Sequence, residues 1–231
     1  MRPNSSISQI LSEYGKLLSE VDHWFTSVQT RYPQDVVCGK GCYDCCLGLF
    51  DISLLDAYYL LQGFNRLPKP VRQKVTRQAE KIIAQIKKLQ PNLIPPYYLT
   101  ELSDEDVDTL CDTFAELRCP LLNDQNQCLT YQFRPMTCRL HGLPMIDVKE
   151  GEYYSSPEKS SYNIVGWCER NFKRKKISEL ADLAYPFTEL DKKELALFVR
   201  FTQALFAKPI YEIYLFIPAA LILNPKIIFK K

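Results

Sequence analysis

Four cysteines fall within the stretch VCGKGCYDCC, at Cys38, Cys42, Cys45 and Cys46. Thiols at that density suit a thiophilic metal ion or an iron–sulfur cluster, either of which needs sulfur ligands aimed at one point. Cys42 and Cys45 have the two-residue spacing of a metal knuckle, in which a tight loop turns both sulfurs inward; Gly39 and Gly41 give such a loop its backbone freedom. A second set lies downstream. RCPLLNDQNQCLTYQFRPMTCRLHG carries Cys119, Cys128 and Cys138, and VGWCER adds Cys168. These eight thiols could build two four-cysteine sites, or one site with further supporting or redox-active thiols. Neighbouring side chains usually diverge, so Cys45 and Cys46 are not expected to serve the same metal.

Four thiolates around a divalent ion leave an excess of negative charge, which nearby cations and N–H groups relieve. Lys40, Arg118, Arg134 and Arg139 all lie in these segments. Arg134 and Arg139, on either side of Cys138, are expected to support the metal group or contact it as cofactor-binding residues. His141 reads as a structural histidine, and His23 as a helix residue with no chemical role. No catalytic residue can be named.

The chain that must position these groups has 231 residues, 46% of them hydrophobic and 24% charged, an ordinary globular composition. A core of normal size is available, so the fold need not depend on metal throughout. A single domain over 1–231 is expected, with an N-terminal helix in 1–35, a cysteine-cluster core in 36–170 and a C-terminal helical segment in 171–231. The net charge of +2 makes no case for a nucleic-acid partner, and the basic run Arg170 to Lys176 has no recognisable binding fold around it. The start, MRPNSSISQILSEYG, lacks the apolar run and cleavage site of an export signal. A cytoplasmic, reducing setting is therefore expected, where an odd count of nine cysteines points to metal before disulfides. No transmembrane segment is expected: the most apolar run, Ile213 to Leu223, is about half of the ~20 residues a span needs and contains Pro218, so it reads as a buried segment. The last residues, Ile227, Ile228, Phe229, Lys230 and Lys231, are apolar and then basic, which would suit a peripheral membrane contact.

Helical periodicity dominates. Ile7, Ile10, Tyr14, Leu17, Val21, Trp24 and Val28 keep a 3–4 spacing, and Leu11, Leu18 and Phe25 widen the stripe toward bundle packing. Ser53 and Asp56 form a capping pattern for a second helix, with Gly63 placed to stop it. A third helix follows Pro70, with Val71, Val75, Ala79, Ile82, Ile83, Ile86 and Leu89 on one face and Lys74, Arg77, Lys81 and Lys88 on the solvated one. Ser103 caps a fourth, whose apolar stripe includes Cys111; that thiol is read as core, not ligand. Thr188 and Asp191 suggest a cap for a last long helix that Pro209 ends. Between Cys119 and Cys168 prolines and glycines break the pattern. Short strands are expected there at most, near Leu143–Val148 or Tyr153–Ser155, and a loop of this length calls for something to organise it.

Taken together, Cys38-x3-Cys42-x2-Cys45-Cys46, then ISLLD, CPLL, Cys128-x2-Tyr131-x2-Arg134-Pro135-x2-Cys138-Arg139 and Cys168 resemble the zinc- or iron-chelating cysteine-cluster family. The resemblance runs from Cys38 to Cys168. It implies metal chelation by Cys38, Cys42, Cys45, Cys46, Cys119, Cys128, Cys138 and Cys168, with supporting roles for Asp56, Tyr131, Arg134 and Arg139; Cys111 falls outside it. The same cysteine pattern is similar to part of the flagellin lysine N-methylases, which are associated with an iron–sulfur cluster, although no separate methyl-donor site is visible here. Cys38-x3-Cys42-x2-Cys45 also matches the spacing of radical S-adenosylmethionine enzymes. Those resemble α/β barrels, and this chain lacks the alternating strands and helices of a barrel. A disulfide-based oxidoreductase would leave most of the thiols unexplained.

Zinc suits closed four-thiolate sites and the knuckle spacing. The single C-x2-C, the irregular spacings and the Cys119-Pro120 step suit a cluster better, so a [4Fe–4S] cluster is preferred to Zn2+. The expected molecule is mainly α, an irregular helical bundle around a loop-rich cysteine-bound metal centre with at most short β-strands. It is a metal-binding protein, with a structural zinc module, an assembly factor that meets a protein partner, and an iron–sulfur-dependent enzyme as alternatives.

Overall fold

A computed structural model describes residues 5–39, 41–147, 163–165, 167–176, 179–180 and 183–223. Lys40, the Tyr153–Ser155 strand expectation and the Ile227–Lys231 tail lie outside the described residues.

The first helix, α1 (Ser5–Arg31), follows directly from its stripe. Ile7, Ile10, Leu11, Tyr14, Leu17, Leu18, Val21 and Val28 are all buried. Two apolar residues per turn give a face wide enough to meet more than one neighbour. A short strand, β1 (Asp51–Ser53), leads into α2 (Leu54–Phe64), where the Ser53 hydroxyl accepts the Asp56 N–H at 3.1 Å, as the capping pattern predicts. Then come α3 (Lys69–Leu89), α4 (Asp104–Thr113), capped by Ser103, and a one-turn helix α5 (Met136–Leu140). Strands β2 (Met145–Asp147), β3 (Asn163–Val165) and β4 (Tyr185–Pro186) precede the long α6 (Phe187–Phe206); strand β5 (Tyr214–Phe216) and the short α7 (Ile217–Leu221) complete the order.

Helix α1 packs on α6, α5 and α2, and α3 packs on α7. Of the run Ile213 to Leu223, Ile213 and residues 215–221 are buried as expected, whereas Tyr214 is exposed and Ile222 and Leu223 are half-buried. The run achieves its burial by pairing: β5 runs antiparallel to β1, and the ladder is extended by Leu54 N–H to Ile213 O and Ile217 N–H to Phe50 O. Pro218 sits in the first turn of α7, where its missing N–H costs no helical bond. The second sheet is three-stranded, in the order β3-β2-β4. Among the described residues the protein is mainly α, with only short strands.

Two local expectations are corrected. Gly63 does not stop α2; it lies within the last turn, and Asn65 is the C-cap. A Cβ at Gly63 would stand 2.5 Å from the Phe133 ring, so glycine is required by the close approach of the 131–133 turn. Nor do Thr188 and Asp191 open α6: it starts straight from β4 at Phe187, with Pro186 as an N-cap that offers no side-chain hydrogen bond. It ends at Ala207, in the left-handed region at φ 59°, two residues before Pro209.

The apolar residues divide into two cores. The larger contains most of α1, α2, α3, α6 and α7. The smaller joins Val28, Val36, Leu143, Phe172, Leu180 and Leu183, with Trp24, Phe25, Tyr32, Cys38 and Trp167 against it. Among the described residues no helix is long and apolar enough to cross a membrane.

Candidate metal centre

The two cysteine segments are joined by backbone before any side chain is considered. Cys119 N–H donates to Cys46 O at 2.9 Å and Gly48 N–H to Leu117 O at 2.8 Å, with Leu47 and Arg118 forming an antiparallel bridge between them. Gly48 takes φ 103° at this junction, a conformation that favours glycine. The first segment is folded tightly: Cys42 N–H reaches Gly39 O, and Asp44–Cys46 make one 3-10 turn, with Gly41 at φ 90°. The second segment turns back on itself through a Leu122–Cys128 bridge. Cys138 is carried by α5.

The eight candidate thiols form two neighbourhoods. Cys119 and Cys138 lie within electrostatic reach of each other and of both Cys46 and Cys128 around the junction. Cys38, Cys42 and Cys168 form a second group. Cys45 is felt by Cys38 in one group and by Cys119 and Cys138 in the other. Cys45 and Cys46 share a single 3-10 turn, which rotates successive residues by about 120°. The proximity of the two thiols draws Cys45 down to about 7 and drives Cys46 up. Burial raises Cys119 to about 12, Cys38 to about 11 and Cys138 well above the ordinary thiol range, and the neighbouring sulfurs push all three the same way. Such a group of sulfurs is costly to ionise without a cation among it.

Arg139 and Arg134 are fixed from outside the cysteine segments. The guanidinium of Arg139, only 3% exposed, pairs with Asp22 of α1 and donates to the carbonyls of Gln132 at 2.8 Å and Arg134 at 3.0 Å. It thereby ties α5 and the preceding turn to α1. Arg134 also reaches Asp22, at 3.2 Å, and its guanidinium lies 3.8 Å from the centre of the Tyr131 ring. Its charge helps lower Cys45, and its Nε–H is buried with no hydrogen-bond partner among the described residues. Arg118 donates to Asn123 O and lies over the Tyr43 ring. His141 is exposed, with its ring edge-on to Phe50, and partial desolvation lowers its pKa, in keeping with a structural role. Cys111, half-buried on α4, points its sulfur at Leu49 O, 3.9 Å away. His23 is exposed.

The basic run after Cys168 contains a residue that the sequence reading passed over. Asn171 is 1% exposed. Its Nδ2 donates to Cys38 Sγ at 3.1 Å and to Gly142 O at 2.5 Å, while its Oδ1 accepts Val37 N–H at 2.9 Å. Next to it, Arg170 pairs with Asp44 at 2.9 Å and stands 3.9 Å from Cys42 Sγ. The available signal was chemical: within RNFKRKK, Asn171 is the one side chain that both donates and accepts. Asp56, Tyr14 and Glu194 were likewise not recognised as a set. Asp56 accepts the amide of Met136, which opens α5, at 2.9 Å, and the Tyr14 hydroxyl at 2.7 Å. A tyrosine in the middle of a helix's apolar stripe needs a polar partner for its hydroxyl, and that was the visible sign.

Among the described residues, no three Cys, His, Asp or Glu side chains already stand around one point at ligand distance. The thiols are close neighbours, not a closed ligand set. The residues present nevertheless fit a metal group. Sulfurs arrive from four chain segments, Asn171 already donates to one of them, the Arg134 charge acts on Cys45, and the buried Arg134 Nε–H has no acceptor among the described residues. Hydrogen bonds to ligand sulfurs of this sort tune a thiolate-bound centre.

No curated protein and no solved structure matches the chain. A family model does, over residues 37–161, which takes in every cysteine except Cys168. With more than half of its length in that match, and its cysteine segments paired as described, the chain belongs to the CxxCxxCC family, the "putative zinc- or iron-chelating domain".

Proposed function

We propose that the protein holds a cysteine-ligated metal centre, a [4Fe–4S] cluster in preference to zinc, with its ligands drawn from Cys38, Cys42, Cys45, Cys46, Cys119, Cys128, Cys138 and Cys168. The observation that carries this reading is the Cys46–Cys119 backbone junction, which brings the two thiol sets together although a long helical stretch separates them in sequence. Support for a cluster comes from the surroundings of the sulfurs. Asn171, Arg170 and Arg134 place hydrogen-bond donors and positive charge around them, and iron–sulfur centres are tuned by such contacts. Zinc is the second reading, favoured by the tight Gly39–Cys42 turn of the Cys42-x2-Cys45 knuckle.

The eight residues would act as ligands or as sulfur neighbours of the centre. Arg134 and Arg139 serve it differently: Arg134 acts on Cys45 through its charge, whereas Arg139 acts by fixing α5, which bears Cys138. The test is to purify the protein without oxygen, record its visible spectrum and count iron, zinc and sulfide per chain. A brown protein with about equal iron and sulfide supports the cluster. A colourless protein with stoichiometric zinc replaces it with the second reading. Absence of both metals, with cysteines paired by mass spectrometry, overturns both.

A further inference from the structure

One hydroxyl hydrogen cannot lie in two oxygen–oxygen contacts at once. The Tyr14 hydroxyl, fully buried, stands 2.7 Å from Asp56 Oδ1 and 3.0 Å from Glu194 Oε1. Both are hydrogen-bond distances, so a hydrogen belongs between each pair. Tyr14 supplies one; the other must come from a carboxyl that has kept its proton. Asp56 is the better acceptor. It has the shorter contact, in the range of a charge-assisted bond, and the same oxygen accepts Met136 N–H at 2.9 Å. The Ser53 hydroxyl lies within reach of both carboxyls, but a bond from it leaves the Tyr14–Glu194 contact still in need of a hydrogen.

We propose that Glu194 is a neutral carboxylic acid in the folded protein at neutral pH, donating to the Tyr14 oxygen, so that one trapped proton ties α6 to α1 and α2. The groups facing it are Tyr14 on α1, Ser53 and Asp56 at the start of α2, Asp191 on its own helix and Tyr214 on β5. None of these is a cation. The cations of α6 nearby are committed at the surface: Lys192 to Glu189 at 3.3 Å, Lys193 to Glu20 at 3.2 Å and Arg200 to Glu13 at 2.6 Å. Burial first, and the Asp56 charge next, raise Glu194 to about 8; burial raises Asp56 to about 6.

The sign of the linkage follows. The unfolded chain loses the Glu194 proton near 4.5, whereas the folded chain keeps it to about 8. The stabilisation is complete below about pH 4.5 and is lost as pH rises through about 8. Within that window unfolding releases about one proton, which lowers the folding constant up to about tenfold per pH unit.

Glu194→Gln keeps the shape and a donor for Tyr14 while removing the titration. In urea unfolding of the full chain from about pH 5 to about pH 9, the folding constant of the wild type should fall relative to E194Q as pH rises, by up to about tenfold per unit before levelling off. The infrared spectrum of the wild type at pH 7 should show a protonated carboxyl band that E194Q lacks. A pH-independent ratio, a wild type without that band, or a band that survives in E194Q would each overturn the proposal. Should E194Q not fold, wild type labelled with 13C at glutamate carboxyls decides alone. An acid band shifted by the label supports the proposal, and the lack of one ends it. Neither readout depends on which metal the cysteines hold.

Discussion

The α3 helix and the α5 turn are secured by opposite means. Helix α3 buries Val75, Ala79, Ile82, Ile83 and Ile86 against the main core and turns its lysines to water. Its position is the sum of many small contacts, any one of which can be weakened without releasing the rest. Helix α5 is a single turn. It buries only Met136 and Leu140 in the main core and is otherwise held by point attachments: the Asp56 carboxylate on Met136 N–H, the Asp22–Arg139 pair and the carbonyls under Arg139. The 35–38 segment resembles α5, pinned by Asn171 and by Phe172 N–H to Asp35 O over the small second core. Dispersed packing gives a stable frame, and discrete polar ties give sulfur positions that a large core could not set. The cost is that each tie matters singly.

That contrast can be broken or sharpened by substitution. The largest effect is expected from Phe201→Ala in the main core, where the ring is fully buried; truncation should cost about 3–5 kcal/mol. Chemical denaturation would measure the loss, while metal per folded molecule should stay unchanged. Cys138→Ala should do the reverse, removing bound metal with a smaller change in helical unfolding. If both variants lose metal and stability in the same proportion, the two regions are one cooperative unit and the contrast fails. Asn171→Ala leaves Val37 N–H and Gly142 O without their partner. A destabilisation of about 1–3 kcal/mol is expected, with hydrogen exchange faster at 35–38 and unchanged in α3. For Asp22→Asn, the partial exposure of the acid limits the loss to about 1–2 kcal/mol; faster exchange should appear at α5. Cys111→Ala should be the mildest, within about 1 kcal/mol, with full metal content. A fall in metal there would move Cys111 from the core into the centre.

The sequence was most legible where one element suffices to explain a residue. Apolar spacing located α1 and α3, because a helix face is a local property. The capping serines at 53 and 103 were readable for the same reason. Cysteine spacing and the family resemblance brought out the thiols. The ties were not legible. Asp22 with Arg139, Asn171 with Cys38 and Tyr14 with Glu194 join residues more than a hundred positions apart, and nothing within a few residues of either partner marks the pairing. Asp56 shows how a local reading can stop short. It was recognised as the third residue of a cap, which it is, while its carboxylate serves Tyr14 and Met136. Gly63 was similarly given a local reason, a helix stop, in place of its distant one, the Phe133 ring.

The Asp22 tie has a consequence for modularity. The family match begins at residue 37, yet the acid that neutralises the buried Arg139 belongs to α1, ahead of that boundary. Asn171, Cys168 and Arg170 lie beyond the other end. A segment cut at 37 and 161 would take seven of the eight candidate thiols along and leave behind Cys168, the counter-ion of Arg139 and the Asn171 staple. The heritable unit, defined by its recurring pattern, is therefore smaller than the physical unit. Any transplant of the cysteine core into another scaffold would need to carry an aspartate in from a neighbouring helix.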